Sequence, residues 1–87
     1  MITQKIIIIN KLGLHARPAN NFVKLANQFQ SKISIMKNGK PLNAKSMLGV
    51  LAAGAKCGTE IELACDGVDE DAAMLAMTNA INAGLGE

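Results

Sequence analysis

The stretch Thr3-Gln4-Lys5-Ile6-Ile7-Ile8-Ile9-Asn10-Lys11-Leu12-Gly13-Leu14-His15-Ala16-Arg17-Pro18-Ala19 changes periodicity once, and that change decides the fold class. Up to Ile9 the run is dominated by β-branched isoleucine and reads as a strand. Ile2, Gln4, Ile6 and Ile8 then share one face, because successive strand side chains alternate. Asn10-Lys11-Leu12-Gly13-Leu14 breaks the pattern. From Ala16 the apolar residues fall at Ala19, Phe22, Val23 and Ala26, the spacing of one helical face. Asn20, Asn21, Lys24 and Gln28 cover the remaining surface of that helix. Pro18 fits because in the first turn its missing N–H has no partner to lose.

Working outward, the alternation of periods continues. Ser31 to Lys37, with Ile33 and Ile35 two apart, reads as a second strand. Asn38-Gly39 is a strong hairpin signal, and Lys40 to Asn43 is the short return strand. Lys45 to Gly54 reads as a short helix with Ser46 as N-cap and Gly54 as its stop. Glu60 to Cys65 alternates again, with Ile61, Leu63 and Cys65 inward. The last helix starts near Asp69, with Glu70 and Asp71 complementing its dipole. Its inner face is Ala73, Met74, Met77, Ala80 and Ile81, and Gly84 and Gly86 end it. The order βαββαβα predicts an α+β sandwich whose helices cover one face of the sheet, since there is too little apolar surface to bury both. Periodicity leaves the strand order open.

The chain has 87 residues, which predicts one domain over 1–87. A domain of that size buries roughly 60% of its unfolded surface, enough for one modest core and no deep interlobe cleft. Phe22 and Phe29 are its only aromatic side chains, and the formal charge is +2. Neither feature suits nucleic acid, which needs stacking platforms or a basic surface. The four-isoleucine run is too short for a signal peptide core or a membrane span, so a cytoplasmic protein with no membrane insertion is expected. Cys57 and Cys65 have neither redox-pair nor zinc spacing and read as small buried hydrophobes. With a single histidine, no metal site and no cofactor are expected.

That histidine, His15, stands just before the first helix, where an N-cap residue belongs. The first helical N–H groups lack intrahelical partners and the dipole adds partial positive charge, which together make an anion site. Arg17, two residues on, adds a guanidinium suited to phosphate oxygens. Histidine is partly neutral near neutral pH and is then a nucleophile. Surrounding positive charge stabilises an anionic phosphoryl adduct. A lone histidine in such a place also serves as a cap or a surface group, and spacing by itself leaves both readings open.

Gly13-Leu14-His15-Ala16-Arg17-Pro18-Ala19 resembles the active-site signature of the HPr family. These are the histidine-containing phosphocarriers of the bacterial phosphoenolpyruvate-dependent sugar phosphotransferase system. Asn43-Ala44-Lys45-Ser46-Met47-Leu48-Gly49-Val50 resembles the family's second motif, around a regulatory serine. The resemblance covers essentially the whole chain. It implies an open-faced sandwich with a four-stranded antiparallel sheet ordered 1-4-2-3 and three helices. It implies a carrier, not a turnover enzyme: His15 accepts a phosphoryl group on Nδ1 from phosphorylated enzyme I and passes it to sugar-specific enzyme IIA components. Arg17, and the backbone N–H groups of Ala16 and Arg17, would contact the phosphoryl group.

For Ser46 the residue-level reading is a helix cap, and the resemblance adds phosphorylation by an HPr kinase/phosphorylase. A phosphate there would slow phosphorylation of His15, and the serine-phosphorylated form acts in some bacteria as corepressor with a catabolite-control regulator. The expected docking surface is the outer side of the first two helices. Its contact residues would be Asn20, Met47, Leu48 and Leu51, with Arg17, Lys24 and Lys45 supplying positive charge for acidic partners. At least one of the three apolar residues should be buried. Asn20, Asn21 and the apolar Leu75-Ala76 depart from the usual family pattern, and Met47-Leu48 replaces a more usual Ile-Met. A carrier of the nitrogen-related phosphotransfer branch is a competing reading, which Lys45-Ser46 disfavours. A regulatory module acting mainly through Ser46 is another, which His15 disfavours. A monomer suits a carrier that presents one face to several partners.

Overall fold

The computed structural model describes residues 1–86. Its elements run β1 (Ile2–Ile7), α1 (Ala16–Ala26), β2 (Lys32–Lys37), β3 (Lys40–Asn43), α2 (Met47–Ala53), β4 (Glu60–Asp66) and α3 (Glu70–Asn82). All strand pairs are antiparallel and the sheet order is β1-β4-β2-β3, as the family resemblance implied. β1 lies at one edge, with Ile2 opposite Cys65 and Ile6 opposite Ile61. β2 pairs with β4 through Ile33–Cys65 and Ile35–Leu63, which puts the apolar pairs on one face.

The helices cover that face. Ile6, Ile8, Ile33, Ile35, Ile61 and Leu63 meet Ala19, Phe22 and Ala26 of α1, Val50 of α2, and Ala73, Met77 and Ile81 of α3 in one core. Phe22 is fully buried at its centre, and truncating such a side chain to alanine typically costs about 3–5 kcal/mol. The opposite sheet face carries Thr3, Lys5 and Ile7, all exposed. Asn38 and Gly39 both have positive φ, 53° and 78°, the mirror-image turn that matches strand twist in a tight hairpin.

Several expectations from the sequence change in detail. The β1 ladder stops at Ile7, not Ile9, because the chain there turns to the 55–59 loop: Ile8 N–H donates to the Thr59 carbonyl (2.9 Å), and Gly58 N–H donates to that of Ile8 (2.7 Å). Cys65 is buried as expected, but Cys57 is exposed. It sits in that same loop, where a turn through Lys56–Thr59 lifts its side chain off the core. Thr78 is buried on α3 while Ala80 is only partly so; the Thr78 hydroxyl meets its own bonding need by donating to the Leu75 carbonyl at 3.1 Å.

Asp69 stands at the N-cap of α3, yet its carboxylate does not cap the helix. It accepts from Gln30 N–H at 2.9 Å, from Ser31 N–H at 2.8 Å and from the Ser31 hydroxyl, tying the entry of β2 to the entry of α3. The Ser31 hydroxyl above all, then the Gln30 N–H, holds its carboxyl below the usual carboxylate range. A folded-state pKa below the unfolded one stabilises the fold fully above the unfolded value, and the stabilisation is lost as pH falls through the folded one. Asp69→Asn is therefore expected to lower the thermal midpoint at neutral pH. It should also make the midpoint fall less steeply below about pH 4, as read from melts over an acid pH series.

Gly13 has φ +68°, and a Cβ there would lie 2.3 Å from the Ala55 carbonyl oxygen. Gly39, with φ +78°, has open space around it. Both alanine variants carry the strain of left-handed backbone, of order 1–3 kcal/mol. Gly13→Ala also forces two backbone segments apart, so urea titration should find it clearly less stable than Gly39→Ala.

Candidate functional site

His15 is placed from two sides. On its N-terminal side the loop is sewn to the 54–56 segment: Leu14 N–H donates to the Ala55 carbonyl at 2.9 Å, and Gly13 N–H closes a turn onto Asn10 at 2.9 Å. On its C-terminal side α1 begins, and the His15 carbonyl accepts the first helical bond, from Ala19 N–H at 2.9 Å. The residue itself is the N-cap, with extended backbone (φ −80°, ψ −171°), and its imidazole does not cap the helix. It is half-buried.

The electrostatics follow from the local sequence. The N–H groups of Ala16 and Arg17 open α1, and Pro18, buried in the same turn, has none to contribute. No acidic residue lies in that first turn, so nothing offsets the positive end of the dipole. The Arg17 side chain is exposed beside it. An anion arriving at this turn meets the first amides of the helix, a fixed dipole and a guanidinium, with half-buried His15 one residue before them.

A cavity of about 620 Å³ opens beside His15. Ile9, Lys11 and Leu12 form one side of it and Asn82, Ala83 and Gly84, at the end of α3, form the other. Asn10 lies in its wall, buried, and its Nδ2 donates to the Gly84 carbonyl at 2.7 Å. From α1, Asn21 Nδ2 donates to the next carbonyl, that of Leu85, also at 2.7 Å. Leu85 is buried with φ +53°, a conformation rare for a branched residue, held by these two amides and its own side-chain burial. The segment after α3 is thus strapped to both the His15 loop and α1. The sequence reading assigned no such role to Asn10, treated as a strand breaker, or to Asn21. Nothing in their spacing points to a bond 74 or 64 residues away.

The second motif lies on α2. Ser46 occupies its N-cap position with extended backbone, and its carbonyl accepts Val50 N–H at 3.0 Å. Its hydroxyl makes no cap bond, so the cap is supplied by backbone shape alone. Lys45 is half-buried and donates from Nζ to the Phe29 carbonyl at 2.6 Å. Asn27, the C-cap of α1, donates to the carbonyls of Lys45 (3.1 Å) and Val23 (2.9 Å). The turn before Ser46 is therefore bonded to the end of the helix that begins at His15. On α2, Met47 is half-buried against the core, while Leu48 is 80% and Leu51 46% exposed. Asn20, Lys24 and Arg17 are exposed on α1. Among the described residues no group of three or more His, Cys, Asp or Glu is arranged to hold a metal ion, and no helix is long and apolar enough to cross a membrane.

Comparison with known proteins identifies relatives over the whole chain. Residues 2–83 match the family model described as the PTS HPr component phosphorylation site. The chain is 49% identical over 87 residues to the phosphocarrier protein HPr of Neisseria meningitidis serogroup A, covering 100% of this chain and 98% of that protein. The crystal structure of an HPr from Thermoanaerobacter tengcongensis superposes with a TM-score of 0.94 at 41% identity, covering 100% of this chain and 98% of the other. The Bacillus subtilis catabolite repression protein Crh, described as a domain-swapped intertwined dimer, matches at 38% identity with a TM-score of 0.76, covering 95% of each chain. The chain belongs to the HPr family of phosphotransferase-system phosphocarriers.

Proposed function

We propose that His15 takes a phosphoryl group from phosphorylated enzyme I and passes it to sugar-specific enzyme IIA components. The observation that carries this reading is the position of His15. Its half-buried imidazole stands at the N-cap of an eleven-residue helix, with no acidic residue in the first turn and Arg17 alongside. The Nδ1 lone pair attacks phosphorus as the donor–phosphorus bond breaks, its electron pair returning to the donor; Nε2 keeps its proton. The N–H groups of Ala16 and Arg17 and the Arg17 guanidinium hold the three phosphoryl oxygens. The same steps run backwards onto the acceptor. An exposed arginine and a fixed dipole stabilise the adduct without burying it, which suits a group that must leave again.

Regulation through Ser46 belongs to the same proposal. Its hydroxyl is not consumed as a cap, so a kinase such as an HPr kinase/phosphorylase has an oxygen to modify. A phosphate there adds nearly two negative charges next to Leu48 and Leu51 on the α2 face. Donor docking on that face, through Met47, Leu48 and Leu51 with Asn20, Lys24 and Lys45 around them, is weakened by like charge. The matched Crh protein is named for catabolite repression, which supports a corepressor role with a catabolite-control regulator for the serine-phosphorylated form. The carrier works in the cytoplasm as a monomer.

Incubation with enzyme I, phosphoenolpyruvate and magnesium should label the wild-type chain with an acid-labile phosphate, and His15→Ala should stay unlabelled. Arg17→Ala should still be labelled, but at least about tenfold more slowly, the scale of one charged hydrogen bond to a transferring group. An unlabelled wild type would sink the carrier reading. In the same assay, Ser46→Asp is expected to raise the KM of enzyme I for the chain while leaving the fold intact by circular dichroism.

A further inference from the structure

The α1/α2 face accounts for only one side of His15. On the other side lies the cavity between the β1–α1 loop and the end of α3, and the imidazole is part of its wall. Two of the exposed large apolar side chains of the chain stand on its rim: Leu12 at 77% and Ile9 at 53% exposure. Exposed apolar residues flanking an open concavity mark contact sites more often than isolated ones do. Lys11, between them in sequence, is exposed as well.

We propose that this cavity is a docking pocket for the protein that phosphorylates His15, receiving an apolar side chain of that partner between Leu12 and Ala83 while partner carboxylates face Lys11. The inference rests on the phosphocarrier reading and extends it to a second contact region. Phosphoryl transfer brings the reacting atoms within about 3–3.5 Å, so the donor must come into contact with the surface around half-buried His15. Even a small transient interface removes several hundred Å² of surface from each partner. A donor centred on His15 therefore reaches beyond the α1/α2 patch and covers the cavity mouth. Charge points the same way: Lys11 and Arg17 flank His15 on both sides, an arrangement complementary to an acidic surface and suited to fast encounter. Because the cavity walls are held by the Asn10–Gly84 and Leu14–Ala55 bonds, the pocket is already formed before the partner arrives.

The experiment is steady-state phosphorylation by enzyme I and phosphoenolpyruvate, with wild type, Leu12→Asp and Leu75→Asp compared. Leu75 is also exposed, but on the outer face of α3 away from the cavity, and its variant should match wild type. Leu12→Asp should raise KM about tenfold with kcat within twofold of wild type, and Leu12→Met should restore the wild-type KM. An unchanged KM for Leu12→Asp, with wild type normally phosphorylated, overturns the pocket and leaves the carrier reading standing. A fall in kcat at constant KM overturns it too, since the loop would then be shaping His15 and not docking. Sedimentation of wild type as a dimer and Leu12→Asp as a monomer would assign the patch to self-association instead. A wild type that is never phosphorylated removes the carrier reading and the pocket together.

Discussion

Everything at the site depends on how closely the backbone at Gly13 approaches the backbone at Ala55. There is room for a hydrogen atom and not for a methyl group, and the neighbouring amide of Leu14 turns the approach into a hydrogen bond of 2.9 Å. With that contact made, His15 can be extended and α1 can start on the next residue. Without it the loop would keep only the Asn10 bonds between the sheet and the helix, and the imidazole would be held less closely to the amides of Ala16 and Arg17. The proposed phosphoryl transfer at His15 asks little of the protein beyond a nucleophile and a matching positive field, so precision of placement is where the fold contributes.

Much of this was legible in the sequence, and the reason is period. Seven elements alternate between spacings of two and of three or four, and each change fell within about two residues of its position in the structure. Motif resemblance supplied the strand order, which no local pattern encodes. What stayed hidden was long-range polar bonding. Asp69 marked only the start of the last helix, and its carboxylate binds Gln30 and Ser31. Ser46 looked like a side-chain cap and caps by position only. Asn10 and Asn21 looked like surface or breaker residues and hold the segment after α3. For Asp69, Asn10 and Asn21 the partner is distant in sequence, and short polar side chains carry no periodic signal to reveal it. Cys57 misled because burial preference is a property of residue type, whereas its exposure follows from the turn it sits in.

The link between the two motifs is mechanical as well as electrostatic. Lys45 and Asn27 join the end of α1 and the turn after it to the residue before Ser46 through two side-chain bonds to backbone, from Asn27 to the Lys45 carbonyl and from Lys45 to the Phe29 carbonyl. Neither helix can shift without moving that knot. Exposed Leu48 and Leu51 sit on a helix of only seven residues, whose stability comes from Val50 in the core and not from its own length. A surface so mounted is rigid in place but shallow.

The sheet order has a consequence for how the chain comes to exist. β1 bonds to no strand except β4, and β4 is the last strand in sequence. During synthesis the isoleucine-rich β1 segment is made well before residues 60–66 and finds no ladder partner until they follow. For that interval an unpaired strand edge waits in a crowded cell, where such edges are prone to pair with the wrong chain. Closing the β1–β4 contact also spans most of the chain, a slow kind of loop to close. β1 is thus placed in the sheet only after most of the chain has been made.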